Sequence, residues 1–462
     1  MTSINGARAI APYFAMMSLE RLSLAERNVP RYTSYPTAPH FNPGVTAGTY
    51  AGWLSNLPGH ARLSLYLHVP FCRQICFYCG CHTQAVQRQQ PVDDYAAALR
   101  AEISVLTRHL RHQPVTHLHW GGGTPSMLAP ADLMAIVEDL HRFLDLSAVR
   151  EHAIELDPRH VTPEFVKCLA EIGVNRASLG VQDLTPAVQE AIGRVQPYET
   201  VARAVDLLRR EGIDNLNFDL MYGLPRQTCD DVRATAERIC QLEPQRVALF
   251  GYAHVPWFKK RQRLIDEAEL PGSGERLDQM TAAREVFLRS GFQPIGLDHF
   301  AVASDSLALA ARTGSLRRNF QGYTTDDADA LIGLGASAIG KLPEGYVQNA
   351  PDIGGYSRAV EAGAFATVRG ITLSPGDRLR AHVIEPLMCD LRVDLKDIPS
   401  LEAVDRFASE VEALEPPAAE GLVRIDAGRI SITDRGQPYV RLIAAAFDAY
   451  LTESARAHTR AI

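Results

Sequence analysis

Tyr66-Leu-His-Val-Pro-Phe-Cys72-Arg-Gln-Ile-Cys76-Phe-Tyr-Cys79-Gly-Cys81 is the stretch on which the fold turns. Its first part continues the run Ser64 to Val69 and reads as a short strand. Its second part places four cysteines within ten residues, as CxxxCxxC followed by a further CxC. Structural zinc sites generally use two separated cysteine pairs, or cysteines with a distant histidine pair. The other four cysteines, Cys168, Cys229, Cys240 and Cys389, stand singly and offer no second pair. Three thiolates on one compact loop suit three irons of a 4Fe-4S cluster and leave the fourth iron open. Cys81 is either a fourth ligand that closes the cluster or a thiol with another role. One residue from Cys79 gives it little reach to a separate cube corner, so ligation by Cys72, Cys76 and Cys79 alone is expected.

Outward from this loop, residues 64–255 alternate short β-type runs with amphipathic stretches, the pattern of a parallel sheet with helical crossovers. Strands are predicted at Ser64 to Val69, His117 to Trp120, Ala153 to Leu156, Arg176 to Val181, Leu216 to Met221 and Arg246 to Tyr252. Helical patterns lie between them at Asp94 to Leu110, Ala131 to Leu144, Pro163 to Ile172, Val201 to Glu211 and Asp231 to Leu242. Six βα units make an α/β fold, as an open sheet or a partial barrel. Further on, Ser315 to Asp329 reads as a polar loop, Leu331 to Ile339 as an apolar, glycine-bearing run, and the Pro-rich Glu415 to Ala418 as a turn. The segment after Ser374 predicts a mostly helical, winged-helix-like unit with a hairpin at Gly421 to Thr433. Ala9 to Met17 reads as a leading helix, because Glu20 and Arg21 follow where a signal peptide would carry small residues.

The chain has 462 residues, with 47 Lys plus Arg against 54 Asp plus Glu, a formal charge of −7. A mildly acidic, evenly mixed charge excludes a nucleic-acid reader, which carries a dominant basic face. An apolar content of 46% with 22% charged residues is that of ordinary soluble domains. No run approaches the roughly 18 apolar residues of a spanning helix. Clustered cysteines suit ligation in a reducing compartment, so a cytoplasmic location is expected.

In barrels of parallel strands the chemistry lies at the C-terminal strand ends. The first strand delivers the cysteine loop and the second Gly121-Gly122-Gly123-Thr124-Pro125, which is either a tight turn or a place where backbone approaches a ligand. The third delivers Glu155 and Asp157, the fourth Gln182 and Asp183, the fifth Asp219 and Gly223, the sixth Ala253 and His254. A carboxylate on a buried strand is rarely unpaired, so Glu155 either faces the cavity and accepts hydrogen bonds from a ribose or amine, or forms a structural ion pair. Alternation in Asn217-Phe218-Asp219-Leu220 points Asp219 inward. The basic run Lys259-Lys260-Arg261 beside Trp257 and Phe258 reads as a solvated face.

The run Tyr66 to Cys72 with CxxxCxxC resembles the radical S-adenosylmethionine superfamily. Cys81, Arg31-Tyr-Thr-Ser-Tyr-Pro-Thr37 and Arg318-Asn-Phe-Gln-Gly-Tyr-Thr324 narrow the likeness to the oxygen-independent coproporphyrinogen III oxidase family. The resemblance implies a partial (β/α)6 radical SAM barrel with a mostly helical C-terminal domain, divided as 1–55, 56–300, 301–373 and 374–462. It also implies a 4Fe-4S cluster and two molecules of S-adenosylmethionine. Tyr66, Gly122, Glu155 and Ile339 match contacts of the first, and Tyr78, Gly123, Thr124, Gln182, Arg194, Asp219 and Ala253 contacts of the second.

The implied reaction turns two propionates of coproporphyrinogen III into vinyl groups through a 5′-deoxyadenosyl radical, in porphyrin biosynthesis. Arg31, Arg194, Arg318 and, against its simpler reading as a solvated face, the run Lys259-Lys260-Arg261 are candidates for holding substrate carboxylates; His299, the Asn319 to Thr324 loop and Cys81 are candidates for lining the cavity or catalysis. Expected partners are coproporphyrinogen III and an electron donor such as a flavodoxin or ferredoxin, with no nucleic acid or membrane, and the chain is expected to be a monomer. Two other readings stay open. A haem chaperone of the same superfamily typically lacks both the Cys81 position and the RYTSYPT segment; a zinc or electron-transfer protein would not need the glycine, Gln182 and Asp219 motifs.

Overall fold

The computed structural model describes residues 23–110, 112–399, 403–451 and 459–460. The leading helix expected at Ala9 to Met17 lies outside the described residues. Six parallel strands follow the predicted order: β1 (Leu63–Val69), β2 (Val115–Gly122), β3 (Glu151–Leu156), β4 (Arg176–Gln182), β5 (Asn215–Tyr222) and β6 (Arg246–Gly251). The main crossover helices between them are α1 (Gln90–Leu106), α2 (Pro130–Phe143), α3 (Pro163–Glu171), α4 (Tyr198–Arg210) and α5 (Cys229–Cys240), with a short helix Pro186–Ala191 ahead of α4. Each strand runs parallel to the next, as short helical crossovers require.

Local chemistry sets the helix starts. Thr162 and Thr228 accept hydrogen bonds from the N–H groups of Phe165 and Asp231, which would otherwise lack partners. α1 begins earlier than the expected Asp94 because Pro91 lies in its first turn, where no N–H is needed. The same tolerance corrects the turn expected at Glu415 to Ala418: Pro416 opens a five-residue helix, Glu415–Ala419.

The sheet extends past the six units at both edges. β7 (Phe292–Ile295) and β8 (His299–Val302) join antiparallel beside β6; β9 (Ala330–Leu334) lies parallel to β1 and is followed by antiparallel β10 (Ile339–Leu342), β11 (Gly345–Asn349) and β12 (Thr367–Thr372). The twelve-stranded sheet is therefore an open, partial barrel, in the order β7-β8-β6-β5-β4-β3-β2-β1-β9-β10-β11-β12. The run Leu331 to Ile339 is two strand ends and their turn. The expected polar loop Ser315 to Asp329 contains a small antiparallel pair, Arg317–Asn319 with Gly322–Thr324; three-residue strands rich in Arg and Gly carry too little apolar alternation to be seen.

Alternation along each strand sorts side chains to two faces. Leu65, Leu67, Trp120, Ile154, Leu179, Phe218 and Leu249, all at most 2% exposed, pack outward against the helices, each worth about 1.5–3 kcal/mol of burial. The other face is polar: Tyr66 and His68 on β1, His119 on β2, Glu155 on β3, Ser178 on β4, Asn217 and Asp219 on β5. At the N-terminal strand ends, Glu151, Arg176, Arg246 and Asp305 form a buried ion-pair network with contacts of 2.7–3.4 Å.

The C-terminal region packs around α6 (Pro375–Asp390) with its own core, which includes Leu387, Phe407, Ile430 and Phe447. The expected hairpin is present as β14 (Val423–Asp426) and β15 (Arg429–Ile432), turned through Ala427 and Gly428 at φ 48° and 90°, and β13 (Arg392–Asp394) adds a third strand. Val29, Tyr32 and Tyr35 belong to this same core.

Candidate functional site

The cysteine loop leaves β1 at the C-terminal end of the sheet, where Phe71–Cys72 pairs with Gln84–Ala85. Cys72 Sγ accepts a hydrogen bond from Thr124 Oγ1 at 3.3 Å and lies 3.2 Å from Thr83 Oγ1. Cys76 Sγ lies 3.6 Å from Arg194 Nη1. Cys79 is held down to about 6 by the Cys81 thiol, and the same contact pushes Cys81 well up, so the pair carries its anion on Cys79. Hydrogen-bond donors on two of the sulfurs and an acidic third thiol make a donor set that fits a three-thiolate iron-sulfur cluster.

Arg194 connects this loop to the sheet. It is 7% exposed, donates to the carboxylate of Asp157 at 3.2 Å and to the carbonyl of Gly180 at 2.7 Å, and its Nε is buried without a partner among the described residues. Gln182 closes β4 at φ 68°, where the register with β5 shifts. A Cβ on Gly180 would stand 3.1 Å from Gln182 and 3.3 Å from Arg194, so Gly180 seats both side chains. Asp219 points inward as expected. It accepts from Ser178 and Asn217 at 2.8 and 2.9 Å, and burial pushes it up to about 6 against those hydrogen bonds.

The glycine turn serves packing before any ligand. A Cβ on Gly121 would meet Glu155 and Tyr66, one on Gly122 the His68 ring at 2.7 Å, and one on Gly123 the main chain of Phe71 at 2.6 Å. Gly122, at φ 118°, donates its N–H to Glu155 Oε2, while Glu155 Oε1 faces His119 Nε2 at 3.2 Å. Glu155 thus has both oxygens engaged by protein yet remains 38% exposed. Tyr66 stacks on His119 and meets His68 Nδ1 at 3.0 Å. Ile339 reaches the same region through Gly333, which pairs with Tyr66 across the sheet and has the Ile339 main chain against it.

Tyr78 and Ala253 are joined by a residue the sequence reading missed. Gln262, 1% exposed, donates to both their carbonyls at 2.8 and 3.1 Å and accepts from Val255 N–H. His119 was missed too, although its alternation with Gly121 on β2 marks it as inward-facing.

Beside Ala253 opens a cavity of about 1080 Å³, lined among others by Arg31, Arg276, Arg318, Arg441, Asp298 and His299. The candidates Arg31, Arg318 and His299 are therefore brought together. His299 Nδ1 lies 2.7 Å from Asp298. Burial raises Asp298, but the His299 contact and the charges of Arg318 and Arg31 outweigh it and hold the carboxyl below its ordinary value. Arg318 lies over the Tyr323 ring at 4.4 Å, with Nε and Nη1 lacking an acceptor among the described residues. Lys259, Lys260 and Arg261 stay outside the cavity, whereas Trp257 reaches its rim.

Comparison with known proteins agrees with this arrangement. The sequence profile of the Radical SAM superfamily matches residues 66–239. The oxygen-independent coproporphyrinogen III oxidase of Bradyrhizobium diazoefficiens is 47% identical over 444 residues, 96% of this chain and 99% of the relative. That of Pseudomonas aeruginosa is 40% identical over 91% of this chain and 93% of the relative. Among solved structures, the coproporphyrinogen III oxidase of Escherichia coli, described as a radical SAM enzyme, superposes with a TM-score of 0.87 at 37% identity, covering 92% of this chain and all of the other. A cysteine loop at the C-terminal ends of a partial barrel, beside an arginine-lined cavity, thus has near full-length counterparts, and this chain belongs to the oxygen-independent coproporphyrinogen III oxidase family of radical SAM oxidoreductases.

Proposed function

We propose that this chain removes two propionate carboxyl groups from coproporphyrinogen III to give protoporphyrinogen IX, under anaerobic conditions and in porphyrin biosynthesis. The observation that carries the reading is the position of the cysteine loop, tied through Gln262 to Ala253 on the wall of a cavity of about 1080 Å³ lined by several arginines. A tetracarboxylate needs cations, and Arg31 and Arg318 supply them on the cavity wall. Cys72, Cys76 and Cys79 would hold the cluster. One S-adenosylmethionine would be held by Tyr66, Gly122, Glu155 and Ile339, and a second by Tyr78, Gly123, Thr124, Gln182, Arg194, Asp219 and Ala253. Together these groups would supply a 5′-deoxyadenosyl radical, the chemistry needed at carbons that acids and bases leave untouched.

At each reacting propionate the β-carbon loses a hydrogen atom. The bond to the carboxyl carbon then breaks, carbon dioxide leaves, one electron passes to an acceptor and a vinyl group remains. The chain's residues work by positioning. The arginines fix the carboxylates, and the Asp298–His299 pair supplies a polar contact beside them. The same proposal includes the four-part division at residues 55, 300 and 373, a cytoplasmic monomer, and an electron donor such as a flavodoxin or ferredoxin. No helix among the described residues is long and apolar enough to cross a membrane.

The test is an anaerobic assay of the reconstituted protein with a strong reductant, S-adenosylmethionine and coproporphyrinogen III. Protoporphyrinogen formed together with 5′-deoxyadenosine supports the reading. 5′-Deoxyadenosine without porphyrin turnover moves the substrate elsewhere, and tight haem binding with neither product replaces catalysis by haem carriage.

A further inference from the structure

The segment from Trp257 to Leu264 is built unlike the rest of the surface. Trp257, Phe258 and Leu264 are 61%, 73% and 55% exposed, and Lys260, Arg261 and Arg263 are exposed among them. Lys260–Leu264 forms one short 3-10 helix, and the buried amide of Gln262 pins it to the carbonyls of Tyr78 and Ala253. The pin orients its neighbours: with Gln262 turned inward, the residues on either side face solvent.

The charges from Lys259 to Arg263 are all positive. None of Lys259, Lys260, Arg261 and Arg263 forms an ion pair with a described residue; of the acids that follow, Asp266 accepts from the Ala268 N–H, Glu267 meets His254 at 3.0 Å and Glu269 pairs with Arg226 at 2.8 Å. On a chain of net charge −7, this is a local cationic patch with apolar side chains in it. It also adjoins the cysteine loop, since Lys259 Nζ donates to the carbonyl of Cys81 at 3.2 Å.

We propose that this patch is the docking surface for a small electron-carrier protein with an acidic face, which delivers the electron that reduces the cluster. The inference rests on the cluster reading above and deepens it. Electron transfer between proteins needs close approach, and the patch touches the cysteine loop at the carbonyls of Tyr78 and Cys81. Complementary charge speeds encounter, while exposed aromatic and aliphatic side chains give a short-lived complex its contact area. The reaction balances as one electron moving from the reduced carrier to the oxidised cluster.

The experiment reverses Lys260, Arg261 and Arg263 to Glu and leaves Lys259, Gln262 and the cavity arginines alone. Two readouts are compared anaerobically with the reconstituted protein: bleaching of the cluster absorption at about 400 nm, and binding to an acidic flavodoxin by calorimetry. With reduced flavodoxin at low salt, the variant is expected to bleach at least about tenfold more slowly, and added salt is expected to narrow the gap by slowing the unaltered protein. Dithionite, a small ion that needs no docking, should bleach both at similar rates. Equal rates and equal binding with flavodoxin overturn the proposal. So does a variant whose only defect is a raised KM for coproporphyrinogen with dithionite, which would make the patch part of the substrate mouth. Absence of any cluster absorption in the unaltered protein would fail the cluster reading itself, a result distinguishable from either.

Discussion

At Cys81 the chain carries a fourth thiol next to three that suffice for an open cluster. Its contact with Cys79 assigns the anion to Cys79 and leaves Cys81 protonated. Cys81→Ser is therefore expected to keep about four irons per chain, measured by iron and sulfide analysis, while Cys76→Ser loses most of them; a halved iron content in the Cys81 variant would make it a ligand. Asp219 supplies a pH test. Burial raises it to about 6 from an ordinary value of 3.8, so between those values the folded chain holds a proton that the unfolded chain has released. Its contribution to stability falls as pH rises through that window and is least favourable above 6. Asp219→Asn should flatten this slope in denaturant melts at pH 5 and 7.5, with its greater relative gain at the higher pH. An unchanged slope would show that Asp219 titrates normally.

Among elements, the turn that ends β2 is the most constrained. Gly123→Ala places a methyl against the Phe71 backbone and Thr83, and neither the main chain nor the cysteine loop it enters can yield cheaply. A loss of about 2 kcal/mol or more is expected, together with poorer iron incorporation; a variant with normal melting and iron would contradict that packing. A second tie joins α1 to the turn between β9 and β10. Glu102, 1% exposed, accepts from Gly335 N–H, Asn349 and Tyr356 at 2.6, 2.6 and 2.8 Å, and Tyr95 bridges the His68 carbonyl and Ala336 N–H. Glu102→Ala removes the acceptor of three buried groups, of which only Asn349 keeps another bond, to the Gly335 carbonyl, and should cost about 3 kcal/mol. Because the turn leads directly into Ile339, the KM for S-adenosylmethionine should rise more than that for the porphyrinogen. Equal shifts would mean general loosening.

Over the whole molecule, the two ends of the described chain close one side of the cavity. Arg441 donates to the carbonyls of Val29 and Pro30, Tyr32 OH donates to Asp448 at 3.0 Å, and Val29, Tyr32 and Tyr35 share the C-terminal core. The segment carrying Arg31 is thus held by residues some 410 positions away. Arg441→Ala should raise the KM for coproporphyrinogen several-fold while iron content and S-adenosylmethionine affinity stay near those of the unaltered chain. A fall in both affinities together would show that the C-terminal region supports the barrel as a whole.

The sequence by itself determined the six βα units, the cysteine loop after β1, the inward turn of Asp219 and the C-terminal hairpin. Each is written in contiguous residues: a period of two, a CxxxCxxC spacing, an Ala-Gly turn with both residues at positive φ. Only the tertiary structure decided the rest. The seventh parallel strand, β9, finds its place beside β1 through a pairing that spans more than 260 residues, which no local pattern encodes. Gln262, His119 and Arg441 gain their roles from carbonyls and rings contributed by distant elements, and an isolated polar residue in a sequence carries no sign of its partner. The Glu415 turn failed for the opposite reason, because proline reads as a breaker unless the first turn of a helix is already in place to receive it.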